Sequence, residues 1–512
     1  MQLEFPVLMS TVVVPILGSL LLPLFGREES PEANATAATI LLLWPLVAIA
    51  GLMATTGLKE PVIDPPVFSS TRAGTFTMIL DGLNAPLAIS IAVVTAFVAM
   101  YSLPYMKHRF EEMEHEGEKP PSWGVYYMLY VMFSAAMLGT VLSTNVLEFY
   151  LFLELSLLPS FLLIAFYGYG ERAKIAILYL IWTHVGALLF LAGAMVLGLK
   201  TGIFDIINPA TLQHYIALGE RLPAAVRMPV AIALIVGLFV KMAVFGVHIW
   251  LPYAHAEAPT PVSALLSPNL IGIAGYALVR ISYTFFPKEF KAVSPYLTFL
   301  ALLTMIYGGF MVLAQDDFKR LLAYSSISQM GYILLGVSSL LPSGIAGAML
   351  HYASHAVGKA LLFMTAGTLI VQLHGLRSIS RMGGLAPRMP YTAALALIGF
   401  MHITGVPPSL GLWSEILIVM GAVNRAIESG SNYFIALVAG LLVAIGLSTA
   451  YAFVTMKRIF FGEPSKAAEE AKEAGRGIIL PMALIAAMGM IFFLMPYKLV
   501  NPLVDLVTSL LR

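Results

Sequence analysis

Residues 234–261 read LIVGLFVKMAVFGVHIWLPYAHAEAPTP, and this stretch decides the fold class of the chain. It begins as an apolar run long enough to enter a bilayer, yet it carries Lys241 and the prolines Pro252, Pro259 and Pro261. Proline removes a backbone hydrogen bond, and free backbone groups at membrane depth are tolerated only inside protein or beside water. The stretch therefore predicts a broken membrane helix that lines a polar interior.

Apolar segments of similar length recur along the 512 residues. The chain is 59% hydrophobic and 11% charged, whereas a soluble domain is roughly 25% charged. About 20 apolar residues cross a bilayer as a helix, because only a helix satisfies its own backbone in lipid. We predict an all-α integral membrane protein with about 14 transmembrane helices. Numbered in chain order, these helices are expected near 5–25, 38–58, 83–106, 125–143, 146–167, 174–199, 228–249, 262–285, 294–315, 320–340, 344–373, 390–424, 432–460 and 477–497.

A second break is predicted in helix 12, where Pro407 and Pro408 interrupt the apolar run at TGVPPSLGLW. Helices 7 and 12 are each the fourth member of a five-helix set, helices 4–8 and helices 9–13. Paired breaks in corresponding helices indicate an internal repeat and the conduction site of a transporter. We therefore predict two inverted five-helix repeats. The expected boundaries are 1–123 for helices 1–3, 124–287 and 288–461 for the repeats, and 462–512 for a C-terminal helix and tail.

The composition excludes several classes of function. With 29 Lys plus Arg against 28 Asp plus Glu, the formal net charge is +1, so the chain lacks the basic field that attracts nucleic acid. It contains no cysteine, which removes disulfides, thiolate zinc sites and cysteine-ligated iron–sulfur clusters. We expect no nucleic-acid partner and no cofactor on this chain. Any linked redox chemistry must lie on a partner.

The orientation follows from the distribution of basic residues. If the amino terminus lies outside, more Lys and Arg fall in the cytoplasmic loops than in the outer loops, which is the arrangement that the positive-inside rule favours. Helix 1 lacks a charged leading region and a clear small-residue cleavage site. We therefore interpret it as a retained membrane helix and not as a signal peptide.

Two ionisable residues lie within the predicted helices of the first repeat. An ionisable group at the bilayer centre costs at least about 2.5–3.5 kcal/mol, so each one needs a reason. Glu154 is in the middle of LEFYLFLELSLLPSFLL, and Lys241 directly precedes the first break. We interpret the two as a buried pair that handles the translocated ion. The alternatives are a carboxylate tied to one hydrogen-bond donor, and a packing lysine that reaches a carbonyl at the break.

The second repeat carries a ladder of titratable groups. In HYASHAVGKALLF, the spacing of His351, His355 and Lys359 is i, i+4 and i+8, so they share one face of helix 11. Glu415, just past the second break, is the positional counterpart of Lys241. We interpret the ladder as a proton relay and Glu415 as a carboxylate that loads or releases the ion. The alternatives are a seam of histidines that bond across helices, and a carboxylate beside the freed amides of the broken helix.

Further polar residues lie within the predicted helices or at their ends. The ionisable residues within the predicted helices, Glu154, Lys241, the helix 11 ladder and Glu415, are called the polar line. This line is extended by His184, His248, His255, Glu257 and His402. Asp81 and Glu148 begin helices and are expected to reach interfacial water. A loop-end cluster is expected to anchor helix 10 at the cytoplasmic interface: Asp316, Asp317, Lys319 and Arg320. The sequence has no metal-ligand spacing, nucleophile elbow or phosphate-cradling loop, so it predicts no metal site and no catalytic residue.

Four segments together resemble the family of proton-conducting membrane transporters. They read VKMAVFGVHIWLPYAHAEAPTPVSALL, LEFYLFLELSLLPSFLL, FKRLLAYSSISQMGYILLG and SHAVGKALLFMTAGTLI, and the resemblance covers most of 125–461. The family comprises antiporter-like subunits of complex I, of membrane-bound hydrogenases and sulfur reductases, and of multisubunit Mrp-type sodium/proton antiporters. Glu415 in GLWSE resembles the chain 4, or subunit M, type.

The resemblance implies roles for the matching residues. It carries the ion pair of the family onto Glu154 and Lys241 and its central relay onto His355 and Lys359. It also carries the exit carboxylate of the family onto Glu415.

Two positions depart from the complex I members of the family. Those members usually carry a lysine in the helix 8 motif LLKMGGYGLLR, whereas NLIGIAGYALVR has Gly272 there, after Pro268 and Asn269. Helix 10 has Gln329 where complex I sequences often carry histidine. The link between the half-channels would then use water, Asn269 or neighbouring histidines. These differences favour a hydrogenase-type or archaeal respiratory complex over a standard complex I.

We expect an ion-translocating subunit of a complex I-related respiratory membrane complex in the plasma membrane of a prokaryote. The expected partners are other membrane-arm subunits, a peripheral redox module with iron–sulfur clusters, and the lipid bilayer. The chain would then serve an oxidoreductase complex without holding a redox centre. The alternatives are a subunit of a stand-alone cation/proton antiporter and a non-conducting structural subunit. The sequence leaves open whether the ion is H⁺ or Na⁺, and what the electron donor and acceptor are.

Overall fold

The computed structural model describes residues 1–25 and 30–512. Within these residues, 14 helices are long and apolar enough to cross a membrane, which confirms the predicted all-α membrane fold. We keep the numbering of helices 1 to 14 for them. Their bounds are Val7–Leu24, Pro31–Thr56, Ala85–His115, Trp123–Leu142, Val146–Tyr167, Arg172–Thr201, Ala224–Met242, Thr260–Tyr283, Pro287–Leu313, Phe318–Ser338, Pro342–Gln372, Leu410–Ser429, Asn432–Phe461 and Arg476–Leu494.

Short elements connect or extend these spans. The short helices are Leu22–Phe25, Leu218–Arg221, Trp250–Glu257, Ile379–Arg381, Pro390–Ile403, Lys466–Glu470 and Tyr497–Leu511. Four short strands, Val62–Ile63, Phe68–Ser70, Gly74–Phe76 and Ile79–Leu80, lie between helices 2 and 3. The first strand pairs with the fourth and the second with the third, both antiparallel. Two nested hairpins therefore cover one end of the helix bundle.

Both predicted helix breaks are present. Helix 7 stops at Ala243, whose φ of 55° is left-handed, and resumes as Trp250–Glu257. The Trp250 indole nitrogen donates to the Val240 carbonyl at 2.9 Å, so one carbonyl freed at the helix end has a partner. Helix 12 is likewise divided into Pro390–Ile403 and Leu410–Ser429. Each break is partly buried: Val244, His248 and Ser409 are buried, whereas Gly246, Pro407 and Pro408 are exposed.

The core of the bundle is its most polar part. In an apolar stretch of 18 residues from each helix, helices 8, 10 and 11 are 100%, 94% and 94% buried. The corresponding stretch of helix 13 is only 17% buried. Helices 8, 10 and 11 have mean hydropathies of 1.6, 1.2 and 1.4, whereas that of helix 13 is 2.2. Lipid is as apolar as leucine, so membrane helices gain little by burying apolar side chains and instead associate through small and polar residues. The residues of the polar line can therefore be surrounded by protein and not by lipid.

The residues after helix 14 form an amphipathic helix, Tyr497–Leu511, where the sequence analysis expected a tail. Its buried side chains are Leu499, Leu503, Val507 and Leu510. The helix packs against the turn before helix 3: a Cβ atom added to Gly82 would lie 2.1 Å from the Pro502 carbonyl oxygen. Spacing of the apolar residues by three or four was the signal for this helix.

Asp81 does not reach interfacial water, contrary to the expectation. It is 1% exposed, and both of its carboxylate oxygens accept from one Arg280 nitrogen at 2.6 Å. Arg280 also donates to the Tyr276 hydroxyl at 2.9 Å and contacts the His214 ring nitrogen Nε2 at 2.7 Å. Helix 8 supplies the cation, so this network ties it to the start of helix 3 and to the loop between helices 6 and 7.

His214 predicts a pH dependence of stability. Burial, followed by the charge of Arg280, lowers the pKa of this loop histidine from 6.5 to about 3. The unfolded chain therefore takes up a proton below about pH 6.5 that the folded chain refuses. We expect acidification from about pH 7 to about pH 5 to lower the free energy of unfolding by about 2 kcal/mol through this residue.

Thermal unfolding of the purified protein at the two pH values measures this effect. His214→Gln keeps an acceptor for Arg280 but cannot be protonated, so the shift between the two pH values should shrink. His374→Gln, at an exposed loop position, is the matched control and should leave the shift unchanged. An equal pH response of native protein and His214→Gln would contradict this assignment.

Candidate functional site

The titratable residues of helices 7, 11 and 12 lie in the interior of the bundle. Lys241 is 2% exposed, and His351, His355 and Lys359 are fully buried. Glu415 is 8% exposed. None of these five side chains points into lipid, so the structure places them where an ion path could run.

Lys241 lies in the last turn of the first half of helix 7. A cation is favourable at this position because the partial negative charge of the helix dipole is at the C-terminal end. Its ammonium group has no hydrogen-bond partner among the residues that the structure describes. Glu154 is close enough to act on it electrostatically. Lys241 is therefore a buried amine without a hydrogen-bond partner among the described residues.

Glu154 contacts His184 and is not the hydrogen-bond partner of Lys241. Its Oε2 atom lies 2.7 Å from Nδ1 of His184 on helix 6. The side chains of Glu154 and His184 are 21% and 44% exposed, so the pair lies at the edge of the bundle. The predicted direct pair is replaced by an outer Glu154–His184 pair that influences Lys241 through its charge. Sequence spacing could not distinguish the two arrangements, because helices 5, 6 and 7 approach one another only in the fold.

The ladder of helix 11 connects helix 10 to helix 12. The Lys359 amine donates to the Leu322 carbonyl at 2.9 Å and to the Ser325 hydroxyl. His351 contacts Gln329 at 2.9 Å through Nε2 and Ser414 at 3.0 Å through Nδ1. Gln329 thus fills the position of the frequent family histidine as a partner of His351.

His355 lies between these two anchored residues on the same helix. Neither of its ring nitrogens has a hydrogen-bond partner in the described part of the chain. It lies within electrostatic range of Lys359, His351 and His255. An imidazole between titratable neighbours can accept a proton on one nitrogen and release one from the other.

Glu415 follows Ser414 immediately, so the ladder reaches the second break. A Cβ atom added to Gly405 would lie 2.5 Å from Oε2 of Glu415, and Gly405 has a φ of 64°. The glycine therefore permits both the turn and the close approach of the carboxylate to the break. The other oxygen, Oε1, is buried and has no partner among the described residues.

The place of the missing helix 8 lysine is filled from helix 11. A Cβ atom added to Gly272 would lie 2.4 Å from the Tyr352 ring. The Tyr352 hydroxyl donates to the Asn269 carbonyl at 2.8 Å, within the π-helical turn Leu266–Leu270. Both amide atoms of the Asn269 side chain are buried without a partner among the described residues. Tyr352 and Asn269 therefore join helix 11 to the π-helical turn of helix 8.

The remaining histidines differ in their surroundings. His248 contacts the Tyr307 hydroxyl at 3.1 Å and accepts from the Gly246 amide, so it holds the first break in place. His402 contacts the Ser354 hydroxyl at 3.1 Å and joins helices 11 and 12. His255 is fully buried, and both of its ring nitrogens lack a partner within the described chain. Of the three, His255 alone resembles the groups of the polar line.

The sequence analysis placed Lys319 in a loop-end cluster that anchors helix 10, and the structure shows that its side chain is buried in protein. Lys319 is fully buried, and its amine donates to the carbonyls of Ala256, at 3.4 Å, and Ala258. These carbonyls belong to the end of the second half of helix 7. The signal was present in FKRLLAYSSISQMGYILLG: the small and polar residues distributed around this helix indicate a buried helix, and Lys319 lies within its first turn.

Five buried side chains along this path have atoms without a protein hydrogen-bond partner in the part of the chain that the structure describes: Lys241, His255, Asn269, His355 and Glu415. More than nine in ten buried polar groups in proteins are hydrogen-bonded, either to protein or to ordered water. Buried polar groups of this kind take water as a partner where the site is polar and roomy enough. The arrangement can pass a proton from one titratable group to the next.

Comparison with known proteins gives a family match over 143–455, described as "NADH:quinone oxidoreductase/Mrp antiporter, TM". The chain is 30% identical to F(420)H(2) dehydrogenase subunit M of Methanosarcina mazei, over 84% of this chain and 82% of that protein. It is 28% identical to an NAD(P)H-quinone oxidoreductase chain 4 of Microcystis aeruginosa, over 93% of this chain and 85% of the relative.

A similar fold is found in a chain of respiratory complex I from Thermus thermophilus, solved with bound NADH. The TM-score is 0.81 at 25% identity, and the match covers 99% of this chain and 100% of the other. The likeness spans the whole bundle, including both broken helices.

Proposed function

This chain belongs to the NADH:quinone oxidoreductase/Mrp antiporter family, and from that premise we propose that it is an antiporter-like, ion-translocating subunit of a complex I-related membrane complex. Redox chemistry would occur in partner subunits, including a module with iron–sulfur clusters. The translocated ion would be H⁺ or Na⁺. The complex would lie in the plasma membrane of a prokaryote.

The observation that carries this proposal is the line of buried side chains without protein hydrogen-bond partners. A structural subunit has no need for such a line, because each buried polar atom without a partner costs about 1–3 kcal/mol. Lys241, His355 and Glu415 are such groups, and they come from helices 7, 11 and 12. Their burial is explained if they bind and release the transported ion.

In the proposed mechanism, each five-helix set supplies half of the path, residues 124–287 the first and residues 288–461 the second. A conformational or electrostatic change in a partner subunit alters the electrostatic field that Glu154 exerts at Lys241. Lys241 then releases its proton toward His355 and Lys359, and Glu415 passes the charge onward. Moving one charge against the membrane potential requires about 2.3 kcal/mol per 100 mV, which the redox reaction must supply.

The edge location of Glu154 and His184 supports a membrane partner at this face. Exposing a pair of ionisable side chains to lipid costs free energy, and such residues normally face protein or water. The surrounding helix surfaces are apolar, with Leu151, Ile181 and Val185 all more than half exposed. A neighbouring membrane subunit would cover the pair and transmit its own state to Lys241.

Ion pumping by the assembled complex in sealed vesicles tests the proposal. Glu154→Gln removes the charge but keeps the size of the side chain. We expect it to slow pumping about tenfold, which corresponds to about 1.4 kcal/mol of lost Coulomb interaction. Lys241→Ala should slow it further, because the proton carrier itself is removed.

Glu428→Gln, at an exposed position near the end of helix 12, is the control and should pump at the native rate. Subunit content must be checked in each variant, so that lost assembly is not mistaken for lost conduction. Native pumping rates in both Glu154→Gln and Lys241→Ala, with the complex intact, would refute the proposal and favour a structural subunit.

A further inference from the structure

We propose that a charged cavity beside the second half of helix 7 is the cytoplasmic entrance to the ion path, and that Lys319 is the positioning residue that closes its inner end. This inference rests on the proposed function. It assigns an entry point and a barrier to a path whose interior alone has been described above.

The cavity has a volume of about 710 Å³. It lies among the loops 168–171 and 314–317, the segment after helix 11 and the short helix Trp250–Glu257, on the face that the Lys and Arg distribution predicts to be cytoplasmic. The charged lining residues are Glu171, Lys174, Glu257, Asp317, Arg320 and Arg377.

Most of these charges neutralise one another. Lys174 pairs with Glu171 at 2.9 Å, and Arg377 pairs with Asp317 at 2.7 Å. Glu257 and Arg320 have no such ion pair among the described residues. The Glu257 carboxylate is the acceptor that the cavity offers to an incoming cation. Glu257 lies two residues from His255 on the same short helix. The cavity therefore ends next to the buried line.

Lys319 contacts the wall of the cavity from behind. Ala256 lines the cavity, and the Lys319 amine donates to its carbonyl and to that of Ala258. The amine lies within electrostatic range of both Glu257 and His255. Two carbonyls at the end of a broken helix thus hold a fully buried cation between the cavity and the first imidazole.

His255 is also close to the titratable residues of helix 11. His255 lies within electrostatic range of Lys359, and Lys359 acts in turn on His355. A positive charge at the inner end of the cavity repels hydrated metal cations. A proton can pass this point on the lysine amine itself, because the ammonium group can release one of its three protons on one side and take up another on the other side. The barrier thus admits protons in preference to other cations.

Cysteine accessibility tests the entrance, and the chain contains no native cysteine that would react. The probe is a small, membrane-impermeant methanethiosulfonate ammonium reagent added to the cytoplasmic side of vesicles that contain the assembled complex. Glu257→Cys should react quickly. Leu251→Cys, on the same short helix but fully buried and outside the cavity lining, is the matched control and should not react.

The barrier is tested with His255→Cys. In the presence of Lys319 this cysteine should react slowly, and in combination with Lys319→Ala its reaction should accelerate about tenfold, equivalent to about 1.4 kcal/mol in the opening equilibrium. Lys319→Arg keeps the cation and should keep the slow reaction. Leu251→Cys combined with Lys319→Ala should stay unreactive. Removing a barrier at Lys319 exposes only the cysteine at position 255, whereas general unfolding would expose the cysteines at both positions.

Three results would overturn the inference. They are an unreactive Glu257→Cys, equal acceleration of His255→Cys and Leu251→Cys by Lys319→Ala, and ion pumping that persists unchanged after Glu257→Cys is fully labelled. Accessibility is measured without ion transport, so it stands apart from the test of Glu154 and Lys241. Normal pumping in those variants would refute the proposed function, whereas failed labelling would refute only the entrance.

Discussion

Replacing Lys359 with methionine is expected to stop ion pumping while the complex still assembles. The Lys359 amine is held by the Leu322 carbonyl and the Ser325 hydroxyl, and it lies within range of both His255 and His355. Methionine has a similar length and fills the same fully buried space. A positioned proton-transfer group contributes about 10²–10⁴-fold to rate, so we expect at least a hundredfold loss, which is close to the background leak of vesicles.

The measurement is proton uptake by sealed vesicles that contain equal amounts of assembled complex. Lys200→Met, at the exposed end of helix 6, is the control and should pump at the native rate. The electron-transfer activity of the complex should be recorded in the same vesicles, because a blocked relay stops ion movement before it changes the redox centres. A Lys359→Met complex that pumps at more than half the native rate would remove Lys359 from the path.

Arg280→Met is expected to have the largest effect on stability. It leaves the Asp81 carboxylate buried at 1% exposure without its only ion-pair partner among the described residues. Removing one partner of a buried ion pair typically costs about 3–5 kcal/mol, which is a large part of the stability of most domains. We therefore expect little folded subunit in the membrane, measured as the amount recovered in the assembled complex and as its unfolding temperature.

The double variant Asp81→Leu with Arg280→Met provides the decisive comparison. Replacing both members of a buried ion pair by apolar residues is often neutral, because the desolvation cost of the charges disappears together with their attraction. The double variant should therefore recover much of the subunit that Arg280→Met loses. Arg72→Met, on an exposed turn, controls for the loss of an arginine as such. Equal recovery of Arg280→Met and Arg72→Met would mean that the ion pair stabilises nothing.

Hydropathy and proline placement were sufficient for the architecture. The predicted helices overlap the observed spans. The second break lies at Pro407 and Pro408 as predicted, whereas the first lies at 243–249, upstream of Pro252. These features are local in sequence. A bilayer requires about 20 consecutive apolar residues, and a proline disturbs only the helix that contains it. The helix 11 ladder could be predicted for the same reason, since i, i+4 and i+8 share a face whatever the rest of the fold does.

Only the tertiary structure decided which groups meet. The partner of Glu154 is His184, the place of the absent helix 8 lysine is filled by Tyr352, and Lys319 lies in the interior at the end of helix 7. Each of these contacts joins helices that are distant in sequence or that pack at an angle no local pattern specifies. Burial of a charge depends on every helix that surrounds it, so the sequence determined which residues could carry the ion, while helix packing decided how they connect.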